Sequence, residues 1–426
     1  MFKNSRLMNQ VNDFTMKIST LLVRFSNIKA VASVQDGLIA SMPLIIIGSL
    51  FLILGVLATP SIISETDPLL PFLAPYADQF FLVNDLTLGF LSFYASLTIA
   101  MGYAKRVGVE ERTAGVLGIT AFLIINLDVM SEKTISVTSF GASGLFVSIL
   151  VGIFSVRIYK FIVDKNIVIR LPDSVPPNVG TAFTSLIPFA IVITLVWFIR
   201  SILGFDLFAF LSGLLAPVIK AADNIVSYTF VETLNNMLWA AGLHGGNMLS
   251  AIVTPIETIN IAENAQAMAS NGSLEHIWTA GFNYLHIWTS TVWPLLILML
   301  FSKVKFLKKL AILSIPAAIL SIIEPVMFGL PLALNPFLII PFIISTCIGS
   351  FVTYGLCMLG VFSKFYATLP WATPPFILGP LASGDMMTIV VVFLNVIIGL
   401  IIFYPFFKAF EKNELEKEKN HELSMK

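Results

Sequence analysis

Two short segments of an apolar chain hold the polar groups best placed to do chemistry. One reads Leu238-Trp239-Ala-Ala-Gly242-Leu-His244-Gly245-Gly246-Asn247. The other reads Ser321-Ile-Ile-Glu324-Pro325-Val-Met-Phe-Gly329-Leu-Pro331. A carboxylate in apolar surroundings has to be paired, hydrated or protonated. Glu324 could accept a hydrogen bond from a substrate hydroxyl and then take its proton as general base. The competing account is an interfacial carboxylate at a loop end. His244 offers one donor and one acceptor as a neutral imidazole, which suits a hydroxyl group. Gly245 beside it lets the backbone approach a ligand closely, and Asn247 completes the polar segment. A satisfied core histidine is the alternative. Trp239 and Trp371 lie near the two segments, where indole faces can stack on the C–H faces of sugar rings. An interfacial aromatic belt explains tryptophans of membrane proteins equally well.

Other chemistries find little support. Of the four histidines, His244, His276, His286 and His421, none form an i, i+4 pair, and neither cysteine joins them, so no metal site is expected. Cys347 and Cys357 both lie in apolar stretches and read as small buried hydrophobes. There is no serine nucleophile elbow and no phosphate-cradling loop. No cofactor is implied.

The elements that must position these residues are membrane helices. The chain is 57% hydrophobic and only 12% charged, about half the charged share of a soluble domain. Its net charge of zero argues against a nucleic-acid partner. A spanning helix needs about 20 apolar residues. Candidate spans are 37–57, 80–104, 113–127, 144–163, 183–203, 226–241, 287–301, 307–323, 336–359 and 387–407. The expectation is an all-α polytopic membrane protein with about ten transmembrane helices. The basic start (Lys3, Arg6, Lys17, Arg24, Lys29) and the basic clusters Lys105–Arg112, Arg157–Arg170 and Lys303–Lys309 mark cytoplasmic sides. Residues 59–79, with Glu65, Asp67 and Asp78 and no Lys or Arg, belong outside, so both termini are expected in the cytoplasm.

Two stretches fit no simple crossing. Residues 242–254 are interrupted by glycine and expected to end at Pro255, and residues 324–336 carry three prolines and a glycine. Both read as re-entrant hairpins lining a cavity, because irregular backbone cannot face lipid. The alternative is a kinked helix. A division near Ala222 leaves residues 1–222 as scaffold or dimerisation domain and 223–426 as substrate domain.

These residues resemble a known family. Leu243-His244-Gly245-Gly246-Asn247 and Glu324-Pro-Val-Met-Phe-Gly-Leu-Pro-Leu-Ala-Leu-Asn335-Pro336 are similar to the membrane IIC component of the bacterial phosphoenolpyruvate-dependent sugar phosphotransferase system, in its lactose/cellobiose/diacetylchitobiose branch. Asp36-Gly37, Met42-Pro43 through Gly48-Ser49, Ser174-Val-Pro176-Pro177, Leu369-Pro370-Trp371-Ala-Thr-Pro374-Pro375 and Tyr404-Pro405 extend the resemblance along nearly the whole chain.

The resemblance implies ten spans, two re-entrant hairpins and a homodimer built through the N-terminal half, in a bacterial cytoplasmic membrane. It implies a β-linked disaccharide, such as cellobiose or diacetylchitobiose, translocated and phosphorylated at its 6-hydroxyl. A separate cytoplasmic IIB protein supplies the phosphoryl group from a cysteine. His244 and Glu324 would then sit at that hydroxyl, with Trp239, Gly245, Asn247 and Trp371 binding substrate. The chain departs from the family at Ile323, where Asn is common, and at Leu285-His286-Ile-Trp288, where glycines are usual. His286 and Trp288 either contact sugar or fill space. Two other classes stay open: a cation-coupled sugar symporter, which should show further buried carboxylates, and a membrane sugar receptor.

Overall fold

A computed structural model describes residues 24, 27–59, 68–126, 137–141, 144–172, 177–330, 332 and 335–424. Among these every regular element is helical. The sequence motif at Ser174–Pro176 and the acidic residues Glu65 and Asp67 lie outside the described residues. The described chain forms two compact units, one of Phe25–Ala221 with Ala251–Ser273, the other of Ala222–Ser250 with Leu274–Lys426.

The first unit contains α1 (Lys29–Ala58), α2 (Ala77–Thr87), α3 (Leu91–Val107), α4 (Glu111–Ile125), α5 (Leu145–Asp164), α6 (Pro177–Trp197) and α7 (Leu207–Ala222). Helix α3 packs against α1, α4 and α5. It ends at Gly108, whose φ of 77° is the left-handed cap that glycine adopts without strain. Two residues later Glu110 caps α4 by accepting from the N–H groups of Arg112 (3.1 Å) and Thr113 (2.5 Å). The Thr113 side chain, and after it these backbone hydrogen bonds, hold its carboxyl below the usual range.

The second unit contains α8 (Ile225–Ala240), the start of α9 (Gly245–Ala269), α10 (Val292–Leu300), α11 (Lys305–Ile319), α12 (Glu324–Gly329), α13 (Pro336–Met358), α14 (Pro375–Ser383) and α15 (Met387–Ser424). Helix α13 packs against α8 and α15, and α10 against α11 and α15. Trp239, Trp288, Leu295, Phe342, Phe403 and Phe407 belong to their shared apolar core. Asn224 starts α8 by accepting from Val226 and Ser227 N–H at 2.9 and 3.0 Å. Asn335 starts α13 in the same way, accepting from Phe337 N–H at 3.0 Å with Pro336 in the first turn. The Asn335-Pro336 pair is therefore a helix cap followed by a proline in its preferred place.

Among the described residues six helical segments are long and apolar enough to cross a membrane: Lys29–Ala58, Pro71–Val107, Leu145–Asp164, Ala182–Ile202, Phe337–Met358 and Met387–Glu416. The expected crossing over 226–241 is the 16-residue α8. In the stretch 287–301 regular α-helix begins only at Val292.

The structure corrects two expectations. Helix α9 does not stop at Pro255 but runs through it to Ala269. A proline inside a helix removes one N–H bond, and membrane helices tolerate this where neighbours re-satisfy the backbone. Pro43, Pro188, Pro316, Pro341 and Pro405 also lie inside helices here. Secondly, Cys357 is buried but Cys347 is exposed. Cys347 shares an outward apolar stripe of α13 with Ile344, Ile348 and Phe351, at the i, i+3, i+4, i+7 spacing of one helix face.

Candidate functional site

Helix α8 ends at Ala240, and Gly242 turns the chain with φ of 81°. A side chain at that φ is strained, so glycine is needed for the reversal. His244 then caps α9. Its carbonyl accepts from Met248 N–H at 3.2 Å, and its Nδ1 accepts from Asn247 N–H at 3.2 Å. With Nδ1 engaged as acceptor, the neutral ring carries its proton on Nε2. His244 thus presents a donor, not a base, beyond the turn.

The ring of Trp239 lies 4.3 Å from that of His244 and meets Trp288 edge-on at 6.0 Å. Trp239 is 4% exposed. In this arrangement it braces the imidazole. Gly245 is buried against α8, and a Cβ there would collide with the carbonyl oxygen and Oδ1 of Asn235. Asn247 gives its backbone N–H to the cap and leaves its side chain exposed. The structure therefore gathers Trp239, His244, Gly245 and Asn247 into one turn.

The remaining candidates lie elsewhere in the unit. His286 is fully buried, with Nε2 2.7 Å from the Tyr228 hydroxyl and the two rings edge to face. Trp371 is 53% exposed in the turn before α14; no ring contact joins it to Trp239 or His244 among the described residues. Glu324 is the first residue of α12, reached through Ser321 with φ of 61°. The Glu324 side chain is outside what the structure describes. Its backbone is fixed by Pro325 and by Gly329, where a Cβ would come within 2.7 Å of Leu310 on α11.

Two polar groups escaped the sequence expectations. Glu232, Asn235 and Asn236 lie buried on α8 at 2%, 8% and 0% exposure. Their i, i+3, i+4 spacing, continued to Trp239, was the readable signal. The other group centres on Asp223, in the connection before α8. Its carboxylate receives Trp278 N–H (2.9 Å), Ile277 N–H (3.1 Å) and the Tyr354 hydroxyl (2.9 Å), with His276 Nδ1 at 3.2 Å. Burial pushes its pKa up, but these partners outweigh burial and hold it below the usual carboxylate value. No group of three or more His, Cys, Asp or Glu side chains among the described residues could hold a metal ion.

The long apolar helices make this a polytopic helical membrane protein, and comparison with known proteins names its family. Residues 35–346 match the family Phosphotransferase system, EIIC, and the chain belongs to it, in its lactose/cellobiose branch. The lichenan permease IIC component of Bacillus subtilis (strain 168) is 30% identical, over 98% of this chain and 97% of that protein. The cellobiose-specific EIIC component of Geobacillus stearothermophilus is also 30% identical, over 97% and 96%. The crystal structure of the transporter ChbC, the IIC component from the N,N'-diacetylchitobiose-specific phosphotransferase system, superposes with a TM-score of 0.86. It has 28% sequence identity, with 96% of this chain and 99% of that chain covered. The chain is a multi-pass sugar permease of a bacterial cell membrane, working with a IIB partner.

Proposed function

We propose that the substrate is a β-linked disaccharide, such as cellobiose or diacetylchitobiose, carried across the membrane for phosphorylation at its 6-hydroxyl. The sugar hydroxyl attacks the phosphorus of a phosphocysteine on a separate IIB protein. The S–P bond breaks, an O–P bond forms, and the hydroxyl proton leaves with the thiolate or through a base. The observation that carries this is the His244 cap: Nδ1 is occupied, so Nε2–H is free to donate to the oxygen of that hydroxyl. Glu324 is assigned the complementary role of acceptor and base. Trp239, Gly245, Asn247 and Trp371 are assigned to sugar binding, with His286 in the supporting wall. Relatives named for lichenan, cellobiose and oligo-β-mannoside favour a β-linked saccharide.

In this proposal residues 223–426 bind sugar, and residues 1–222 serve as scaffold and homodimer contact. Both termini face the cytoplasm. A cysteine placed at Ser64 should react with an impermeant reagent from outside; reaction only after permeabilisation would reverse the orientation.

The function is tested in vesicles holding the purified chain and radiolabelled cellobiose or diacetylchitobiose. Phosphorylated IIB protein should yield the sugar 6-phosphate, and omission of IIB should yield none. Accumulation driven by an ion gradient without IIB would replace the group-translocation account with symport.

A further inference from the structure

We propose that Glu232, Asn235 and Asn236 form a binding site for one monovalent alkali cation on the buried face of α8. The three residues occupy i, i+3 and i+4 and so share one helix face. The rise from Glu232 to Asn236 is about 6 Å, short enough for side chains so spaced to meet. All three are more than nine-tenths buried.

Donors and acceptors do not balance there. Asn235 lies three positions from Glu232 on the same helix face. Asn236 donates through Nδ2 to Thr346 Oγ1 at 2.5 Å, and the Thr346 hydroxyl is itself spent on the Phe342 carbonyl at 2.9 Å. Glu232 Oε2, Asn235 Oδ1 and Asn236 Oδ1 are left, all buried and without a hydrogen-bond partner among the described residues. All three are acceptors. A proton on Glu232 Oε2 makes one donor for the two amide oxygens, and a single water supplies two donors for three oxygens, so either leaves one acceptor unmet. A cation shared by the three oxygens would satisfy them together and neutralise the carboxylate, whose isolation in apolar surroundings is otherwise costly. One carboxylate with two neutral amides carries a single negative charge, which matches one positive charge. Hard divalent ions gather more oxygen ligands, several of them carboxylates. No ion pair to Glu232 exists among the described residues.

The site also has a route to the His244 turn. Asn235 Oδ1 lies against Gly245, so an ion that fixes the Asn235 side chain also fixes the wall on which the turn rests. Ion binding itself depends on none of the sugar assignments.

The full purified chain in detergent is unfolded thermally in NaCl, KCl and N-methyl-D-glucamine chloride at equal ionic strength, without sugar. At least one alkali ion should raise Tm saturably by about 2 °C or more over the organic cation. The sodium and potassium arms identify which ion fits. In Glu232→Gln the difference between salts should vanish. Equal Tm in all three salts, or a salt-specific rise that persists in Glu232→Gln, would overturn the site. A Tm that responds to pH but not to the identity of the cation would assign Glu232 to a proton instead, and also overturns it. Should Glu232→Gln not fold, equilibrium binding of ²²Na⁺ and ⁸⁶Rb⁺ to the wild type decides. Saturable binding of about one ion per chain, unaffected by N-methyl-D-glucamine, supports the site, and binding of neither ion refutes it.

Discussion

The backbone N–H of Asn247 donates to Nδ1 of His244 over 3.2 Å, so one ring nitrogen serves the fold and the other carries the proton that the proposal directs at the sugar hydroxyl. The two roles can be separated by substitution. Asparagine is a strong helix cap whose side-chain oxygen replaces Nδ1 but reaches nothing beyond. His244→Asn should hold Tm close to wild type yet lose sugar affinity and IIB-dependent phosphorylation. His244→Ala should lose both functions and about 1 kcal/mol of stability with the cap. Wild-type affinity in His244→Asn, measured by equilibrium sugar binding, would confine the histidine to capping.

Gly245 and Gly246 are neighbours with different constraints. A Cβ at Gly245 collides with Asn235, whereas at Gly246 its nearest contact is His244 Cε1 at 3.6 Å, an ordinary packing distance. Gly245→Ala should push the turn off α8 and lower Tm and sugar affinity together, with a stability loss of about 1–3 kcal/mol. Gly246→Ala should be near neutral, since alanine is the better helix residue. Paired melts and binding isotherms test the contrast. Equal behaviour of the two variants would mean that the α8 contact does not constrain the turn.

Much of this was legible in the sequence, for physical reasons. The Gly242-Leu-His-Gly-Gly stretch announces a break in a helix because glycine adopts the φ of 81° found there without the strain a side chain would bring. Asn335-Pro336 announces a helix start through a cap and a pre-set φ. What stayed hidden depends on distant partners. Asp223 looks like a loop carboxylate until residues 276–278 and Tyr354 bring it donors from 53 to 131 positions away. Glu232 sits in a span that reads as apolar, and its lack of a charge partner becomes visible only once α13 covers it. Pro255 was misleading because proline punctuates helices in water more strictly than in a membrane bundle.

Asp223 should give the fold an acid limit. Its pKa is held low in the folded chain, against about 3.9 in an unfolded one. The carboxylate therefore contributes stability that is complete above the unfolded value and lost as pH falls through the folded one. Tm should decline from about pH 5 to pH 3, and Asp223→Asn should flatten part of that decline. At pH 7 the same variant should be less stable by about 1–3 kcal/mol, because its amide meets N–H donors with a donor. Parallel Tm–pH curves of equal slope would show that Asp223 is not the group that sets the limit.

Glu324 is where chemistry and fold must be told apart. It opens α12 beside Pro325, so a change of side-chain shape could disturb the segment regardless of reaction. Glu324→Gln avoids this by keeping size and hydrogen-bonding reach while removing the charge and the base. Transfer from phosphocysteine requires the 6-hydroxyl to lose its proton as the O–P bond forms. Base assistance of that step is worth about 10²–10⁴-fold, whereas losing one charged acceptor from binding is worth about 1.5–3 kcal/mol. IIB-dependent phosphorylation at saturating sugar should therefore fall by at least about 10²-fold beyond any change in affinity. A 6-deoxy sugar removes the hydroxyl from the other side. It should bind wild type more weakly than the parent sugar, because the site's polar groups are left unpaired. That penalty should shrink in Glu324→Gln if the carboxylate is what the hydroxyl meets. Measuring both sugars on both proteins closes the cycle. Undiminished phosphorylation by Glu324→Gln would take the carboxylate out of the reaction, and an unchanged 6-deoxy penalty would take it off the 6-hydroxyl.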